Sequence, residues 1–335
     1  MPVSPLRTIR NLAAFLAGVT LTCLVFAQFA SFPQVGNVWR KYVHLQEHKD
    51  KYSVIYIGSS RVFHEFLPAQ FDAAMAKRGH PTTSFNYGQD GMWPPESLYM
   101  VEQILALHPK NLKWVFIDLM PIKPYIQGGE ITARAEYWHD WKHTWMAMKH
   151  CATSPDYDRG WSERLDYCYT HLFLWAERSL NAGVGSQHFL VAMKLDREKR
   201  PEPVADGGWE NGPDRHLTEQ EKHDFKIETG RLPGLPPNPI DPLLRDALNN
   251  IVTKVRAAGA EPIFVVASGF YARERFADWP PPGVTVLAFD DPVRYPELYN
   301  PDHRFDMYHL DARGAADATR FLSDRFAEYL EAKTK

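Results

Sequence analysis

Apolar residues in this chain come in short continuous runs, separated by longer stretches in which they recur at helical spacing. A short continuous run that ends at turn residues is typical of a strand buried on both faces. Several longer stretches begin near proline or aspartate and end near glycine, the usual signals of helix ends. The predicted strands are Tyr52–Gly58, Thr83–Gly88, Lys113–Leu119, Glu261–Ser268 and Val284–Phe289. The predicted helices are Leu67–Gly79, Pro94–Pro109, Asp241–Ala260 and Asp311–Ala332.

The alternation of strands and helices predicts an α/β fold. We expect a three-layer α/β/α sandwich around a mostly parallel five-stranded sheet, formed by residues 52–121 and 240–335. Residues 122–239 do not follow this alternation, and they hold six of the ten tryptophans. A structureless loop of that length is improbable in a compact domain. The intervening residues are therefore interpreted as a partly helical insertion that covers the active-site end of the sheet.

The N-terminal region differs from the rest of the chain. Leu12–Phe32 is a run of 21 residues without a charge, preceded by Arg7 and Arg10. About 20 apolar residues span a bilayer as a helix, which predicts a transmembrane signal anchor at 12–32. Residues 1–11 would stay in the cytoplasm, residues 33–51 would form a polar linker, and the catalytic domain would lie outside the cytoplasm, on the periplasmic side in a Gram-negative cell. A cleaved signal peptide is the alternative, although its apolar region is usually about 7–15 residues long.

Composition narrows the possible partners and cofactors. A net charge of −3 over 335 residues, with no basic stripe, argues against a nucleic-acid partner. Cys151 and Cys168 could form a disulfide in an oxidising compartment, or remain two thiols. The histidines of the insertion lie at spacings that permit a shared helix face, but ordinary surface histidines are commoner, and no metal site is predicted.

Candidate chemistry follows the predicted strands, because ligands of parallel sheets bind at the carboxyl ends of the strands. The first strand ends in Gly58-Ser59-Ser60-Arg61, and Asp306-Met307-Tyr308-His309 precedes the last helix. A serine becomes a nucleophile when a histidine takes its proton and a carboxylate orients that histidine. Ser60, His309 and Asp306 can fill these three roles.

Two further features belong to the same predicted site. The backbone amides of Ser60 and Gly91 could donate hydrogen bonds to the oxyanion of a tetrahedral intermediate. Arg61 could bind a carboxylate or phosphate of the substrate. It could equally pair with Asp118 and brace the site, and we favour that structural role because a buried arginine usually needs a partner.

These motifs resemble the SGNH (GDSL-like) superfamily of esterases and acyltransferases. Its Gly-Asp-Ser block matches Gly58-Ser59-Ser60, its second-block glycine matches Gly91, and its final Asp-x-x-His block matches Asp306 to His309. The resemblance covers Tyr52–Leu119 and Glu261–Glu331. It implies an acyl-serine intermediate on Ser60 and no metal or organic cofactor.

One block departs from the family pattern. Where the family has Gly-x-Asn-Asp, whose asparagine completes the oxyanion hole, this chain has Met120-Pro121-Ile122-Lys123. Asn86 is a candidate replacement donor. Losing one oxyanion donor costs about 10²–10³ in turnover, which weakens the case for efficient general hydrolysis.

A Gly-Ser-Ser block behind a membrane anchor resembles the specialised acyltransferases of this superfamily that modify cell-surface glycans. The resemblance implies transfer of an acyl group, most simply acetyl, from a donor supplied by a multispanning membrane acyltransferase to a polysaccharide. Two alternatives stay open: an SGNH-type carboxylesterase, and a catalytically silent glycan-binding or assembly protein.

Overall fold

A computed structural model of the chain describes residues 5–29, 32–122, 132–154, 160–180, 203–269 and 275–334. The chain divides into two compact units, one formed by residues 1–39 and 124–201 and the other by 40–123 and 202–335. The first unit contains α1 (Pro5–Phe29), α6 (Ala133–Glu136), α7 (Trp141–Thr153) and α8 (Trp161–Ser179), while α2 (Gly36–His48) begins in it and continues into the second. The strands of the second unit are β1 (Val54–Gly58), β2 (Ser84–Gly88), β3 (Trp114–Asp118), β4 (Glu261–Val266) and β5 (Thr285–Ala288). Its other helices are α3 (Ser60–Glu65), α4 (Pro68–Lys77), α5 (Glu96–Ala106), α9 (Glu219–Arg231), α10 (Pro242–Ala257) and α11 (Ala312–Thr334).

The five strands form one sheet in the order β2-β1-β3-β4-β5, and every neighbouring pair is parallel. Helices lie on both sides of the sheet: α4 packs with α11, and α5 packs with α10. The predicted α/β fold with a parallel five-stranded sheet is confirmed, and the arrangement is consistent with a three-layer sandwich. The strand order reverses between β1 and β3, the point at which sheets of this kind bind ligands.

An aromatic cluster fixes the last helix against the sheet. Phe71 on α4, Phe116 on β3 and Phe326 on α11 are fully buried. Their rings meet edge to face, with centroids 5.7 Å apart for Phe71 and Phe116 and 4.9 Å apart for Phe116 and Phe326. Burying one such ring contributes about 1.5–3 kcal/mol. The cluster therefore anchors α11, and with it the loop that leads into this helix.

The predicted linker 33–51 is wrong, because most of it forms α2. Lys41 and Leu45 are buried one turn apart on this helix, and the His44 ring stacks on Phe85 at 5.2 Å. Because Lys41 occupies one of the buried positions of α2, the spacing of the hydrophobic residues alone does not show a helix here. The boundary of the predicted insertion also changes, because residues 203–239, including α9, belong to the same unit as the sheet.

The N-terminal helix α1 covers most of the predicted anchor Leu12–Phe32, whose residues Ala30 and Ser31 lie outside the described part of the chain. Searched over its described residues, the chain has no helix that is long and apolar enough to cross a membrane.

The helices α7 and α8 form an antiparallel pair. Arg164, near the start of α8, donates to the carbonyl of Cys151 near the end of α7, at 2.9 Å. Within the described part of the pair, no disulfide joins Cys151 to Cys168. Trp141 and Trp145 on α7 are each about half exposed. The described residues also contain no cluster of metal-ligating side chains.

Candidate active site

The turn between β1 and α3 places Ser60 at the start of a helix. A Cβ on Gly58 would lie 2.3 Å from the Asp118 Cβ, so only glycine fits at the end of this strand. Ser59 is the N-cap residue of α3, and its hydroxyl accepts from the Arg61 amide at 3.3 Å. The same hydroxyl donates to Oδ2 of Asp118 at 2.7 Å. Ser60 is therefore the first residue of α3, beside the reversal point of the sheet.

The structure brings together the three residues that the sequence singled out. The Ser60 hydroxyl oxygen lies 2.7 Å from Nε2 of His309. On the other side of the ring, Nδ1 lies 2.9 Å from each carboxylate oxygen of Asp306. Because a carboxylate only accepts hydrogen bonds, Nδ1 carries a proton, and the neutral ring presents Nε2 as an acceptor for the serine hydroxyl. A histidine held in this way can take a proton from a serine.

The carboxyl group of Asp306 is held in its ionised form. Burial by itself raises the pKa of Asp306, but the hydrogen bond and charge of His309, together with two backbone amides, outweigh burial and bring this pKa below its ordinary value. The two amides belong to Tyr308 and His309, and they donate to Oδ1 at 2.7 and 2.8 Å. The turn from Asp306 to His309 is thus closed by its own carboxylate.

A buried pair of charged residues supports this loop. Oε1 of Glu65, at the end of α3, accepts from the Leu310 amide at 3.2 Å. Arg304 is fully buried and donates to the Leu298 carbonyl at 2.7 Å. Burial raises the pKa of Glu65, and the charge of Arg304 opposes this shift. Glu65 thus connects α3 with the segment that carries His309, and Arg304 fixes that segment to Leu298.

The predicted oxyanion turn follows β2. Gly91 has φ +65°, a backbone conformation that favours glycine. The turn is closed by the Met92 amide, which donates to the Gln89 carbonyl at 3.1 Å. Just before it, the carbonyl of Gly88 accepts from Nζ of the buried Lys41 at 2.7 Å. The turn thus lies at the carboxyl end of the strand next to β1, as an oxyanion donor requires.

Asn86 does not serve as the replacement oxyanion donor, and that expectation is corrected. Its amide nitrogen donates to the carbonyls of Val62 and Phe66, at 2.6 and 2.8 Å. Its side-chain oxygen accepts from the Gly88 amide at 2.8 Å. The side chain is completely buried. Because both amide hydrogens are used on backbone carbonyls of α3 and its end, this residue holds the helix to the sheet.

Arg61 is buried and faces Asp118, with Nη2 3.5 Å from Oδ1. This placement supports the bracing role over direct binding of substrate. The carboxylate of Asp118 thereby contacts both Ser59 and Arg61, the two neighbours of Ser60 in sequence.

Sequence reasoning missed a second histidine next to the triad. The His64 ring centroid lies 6.0 Å from that of His309, and its Nε2 lies 3.1 Å from Oδ1 of Asp90. His64 follows Ser60 by four residues, a spacing that would have placed both on one helix face. The sequence reading assigned no helix there, so this signal went unused.

Comparison of the chain with models of known protein families and with curated proteins found no match.

Proposed function

We propose that this protein is a serine-dependent acyltransferase of SGNH type that works through an acyl-enzyme on Ser60. The observation that supports the proposal most is the continuous hydrogen-bonded series from the Ser60 hydroxyl through the His309 ring to the Asp306 carboxylate. The strand order of the sheet, with Ser60 beside its reversal point, agrees with this class of fold.

The reaction divides into two transfers. In the first, the Ser60 oxygen bonds to the acyl carbon while its proton passes to Nε2 of His309, which then protonates the departing group of the donor. In the second, a hydroxyl of the acceptor gives its proton to His309 and takes the acyl group, and the proton returns to the Ser60 oxygen. Backbone amides of Ser60 and Gly91 are proposed to bind the oxyanion in both steps.

The proposed acceptor is a cell-surface polysaccharide and the acyl group acetyl, following the family resemblance. Hydrolysis by a carboxylesterase is the runner-up, since water can replace the sugar hydroxyl in the second transfer. The missing third-block asparagine, for which Asn86 does not substitute, weighs against rapid general hydrolysis. A catalytically silent glycan-binding protein is the remaining alternative, and it requires that the serine be unreactive.

A fluorophosphonate probe tests the proposal on the full chain. Ser60 would bond to phosphorus, fluoride would leave, and His309 would take the serine proton. We expect labelling of Ser60 that is lost in Ser60→Ala and falls by about 10³-fold or more in His309→Ala. Ser162→Ala, an exposed position on α8, is the matched control and should label like the wild type. A folded wild-type chain that takes no label would overturn the proposal.

The products of an activated acetyl ester then separate transfer from hydrolysis. Added polysaccharide should capture the acetyl group if the protein is a transferase. Release of acetate at the same rate with and without polysaccharide would instead indicate an esterase.

We also propose that α1 holds the catalytic unit at a membrane. Its described large apolar side chains are exposed, among them Leu6, Ile9, Leu12, Phe15, Leu16 and Leu21. An apolar surface of this kind is stabilised by lipid. Washing of cell membranes at alkaline pH should leave the chain in the membrane fraction, and its release into the wash would contradict the proposal.

A further inference from the structure

Both ring nitrogens of His64 face oxygens that only accept hydrogen bonds. Nδ1 lies 2.9 Å from the backbone carbonyl of Glu210, and Nε2 lies 3.1 Å from Oδ1 of Asp90. A neutral imidazole donates from one nitrogen only, whereas an imidazolium donates from both. The geometry therefore fits the protonated ring. In agreement, burial lowers the pKa of His64, but Asp90 and the Glu210 carbonyl outweigh burial and raise the pKa above its ordinary value.

The ring of His64 is held in place on all sides. Phe305 meets it edge to face at 5.5 Å and stacks in parallel on His309 at 5.3 Å. The indole nitrogen of Trp209 donates to the backbone carbonyl of His64 at 2.8 Å. The side chain of His64 is only 11% exposed. The ring is therefore fixed next to His309, and both of its nitrogens are engaged, one by Glu210 and the other by Asp90.

His64 connects two parts of the proposed machinery. It lies on α3 one turn after Ser60, and its partner Asp90 immediately precedes Gly91. The bond from His64 to Asp90 thus joins the nucleophile helix to the oxyanion turn. On the other side of that turn, Nζ of Lys41 donates to the Gly88 carbonyl.

The charged and titratable groups around the two imidazoles come from several elements. Arg40 and Lys41 belong to α2, and Arg40 is paired with the Glu210 carboxylate. Glu65 lies on α3, Asp90 after β2, and Arg304 and Asp306 on the segment before α11. Among the described residues, these groups include His64, His309, Asp90, Glu65, Glu210, Arg40, Lys41, Arg304, Asp306 and Tyr308.

We propose that protonated His64 is a positioning residue, which holds the Gly91 turn against the start of α3 through its ionic hydrogen bond to Asp90. The inference rests on the proposed function, because it assigns the turn to oxyanion binding. When the imidazolium loses one proton, the neutral ring can donate to the Glu210 carbonyl or to Asp90, but not to both. With the remaining proton on Nδ1, toward the shorter contact with Glu210, the bond to Asp90 is lost. The turn is then released, and the reactivity of Ser60 falls at alkaline pH.

The rate of fluorophosphonate labelling as a function of pH tests this role in the full chain. We expect the wild-type rate to fall as His64 deprotonates above the ordinary imidazole pKa of about 6.5. Asp90→Asn keeps a hydrogen-bond acceptor but removes the charge that raises the pKa of His64, so this fall should move to lower pH. His64→Gln should lose the fall altogether and label about 10- to 100-fold more slowly at neutral pH.

Two controls keep the result interpretable. His223→Gln, at an exposed position on α9, should reproduce the wild-type profile. The Asp90 side chain is 58% exposed, so Asp90→Asn should retain the wild-type thermal midpoint even if His64→Gln does not. The double variant should label no more slowly than His64→Gln alone, because both substitutions act on the same bond, that between His64 and Asp90.

The outcomes separate this inference from the proposed function. A wild-type chain without labelling would overturn the acyltransferase proposal itself. A labelled wild-type chain whose alkaline fall stays at the same pH in Asp90→Asn would overturn the role of the His64–Asp90 bond. Additive losses in the double variant would do the same.

Discussion

Two glycines determine how closely α3 approaches the sheet. A Cβ on Gly58 would lie 2.6 Å from Cγ2 of Val62, and a Cβ on Gly88 would lie 2.2 Å from the backbone nitrogen of Phe63. The second contact is with a backbone atom, which cannot move away by a change of rotamer as a side-chain atom can. The short helix therefore lies against β1 and β2 because neither strand has a side chain at its last residue.

Gly58→Ala should lower the free energy of unfolding by about 1–3 kcal/mol, because the new methyl group must displace Asp118 or Val62. Gly230→Ala is the matched control, since no atom lies within 4 Å of its added Cβ. In a helix, this control should instead gain up to about 1 kcal/mol. Urea unfolding of both variants measures the difference, and an equal effect at the two positions would argue against the close approach.

The depressed pKa of Asp306 predicts a stability difference that depends on pH. A carboxyl group whose pKa is lower in the folded state stabilises the fold above its unfolded pKa, about 3.9, and this stabilisation is lost as pH falls through the folded value. The stability advantage of wild type over Asp306→Asn should therefore be constant above about pH 5 and shrink below about pH 4. Unfolding at a series of pH values checks this, and an advantage that persists to the lowest pH would contradict it.

At the scale of single residues, the sequence alone was sufficient to identify the side chains that belong to recognisable motifs. Ser60 follows the first strand, and Asp306 and His309 precede the last helix, so their positions in the predicted fold pointed to one end of the sheet. His64, Asp90 and the buried supports of the site were not identified. Their roles depend on partners far away in sequence, such as the 26 residues that separate His64 from Asp90.

At the scale of elements, α3 is too short to be stable alone. It has six residues, and its end is held by Asn86 on β2, whose side-chain amide donates to the carbonyls of Val62 and of Phe66, the residue that follows the helix. The helix α3 therefore depends on a side chain of the neighbouring strand.

Asn86→Asp should be strongly destabilising. The substitution removes both donors and places a buried carboxylate against carbonyl oxygens, a change that costs about 3–5 kcal/mol. Asn111→Asp is the control, because Asn111 also donates to a backbone carbonyl, that of Asp50 at 2.6 Å, but at an exposed position. Thermal unfolding of the two variants compares them. Similar losses would mean that burial of Asn86 does not matter.

The strands were predictable because buried parallel strands have continuous apolar runs, and all five were found within two residues of their observed ends. Two helices, α2 and α3, were not predicted. The buried face of α2 includes Lys41, and α3 begins inside a motif read as a turn. Short or polar elements are fixed by tertiary contacts, which a local pattern does not contain.

At the scale of the whole molecule, the site joins distant parts of the chain. Ser60 and His309 are separated by 249 residues. The sheet is parallel throughout, so each strand pair closes a long loop, and such topologies fold slowly. The serine and its base meet only after α11 has packed against α3 and α4.

Refolding from urea should therefore restore helical circular dichroism before it restores fluorophosphonate labelling. Short pulses of probe at successive times after dilution measure the second process. The variant Phe326→Leu, which weakens the packing of α11, should delay labelling more than it delays the circular dichroism signal. Labelling that appears with the first helical signal would contradict this order.

The long separation of Ser60 from His309 has a consequence for how the protein is made. During synthesis, the serine emerges early and stays an ordinary alcohol until the histidine segment has followed and docked. Under the proposed function, a growing chain would therefore not be acylated on Ser60 before the His309 segment has been made and has packed. Labelling of Ser60 would then count the molecules in which the two segments have come together.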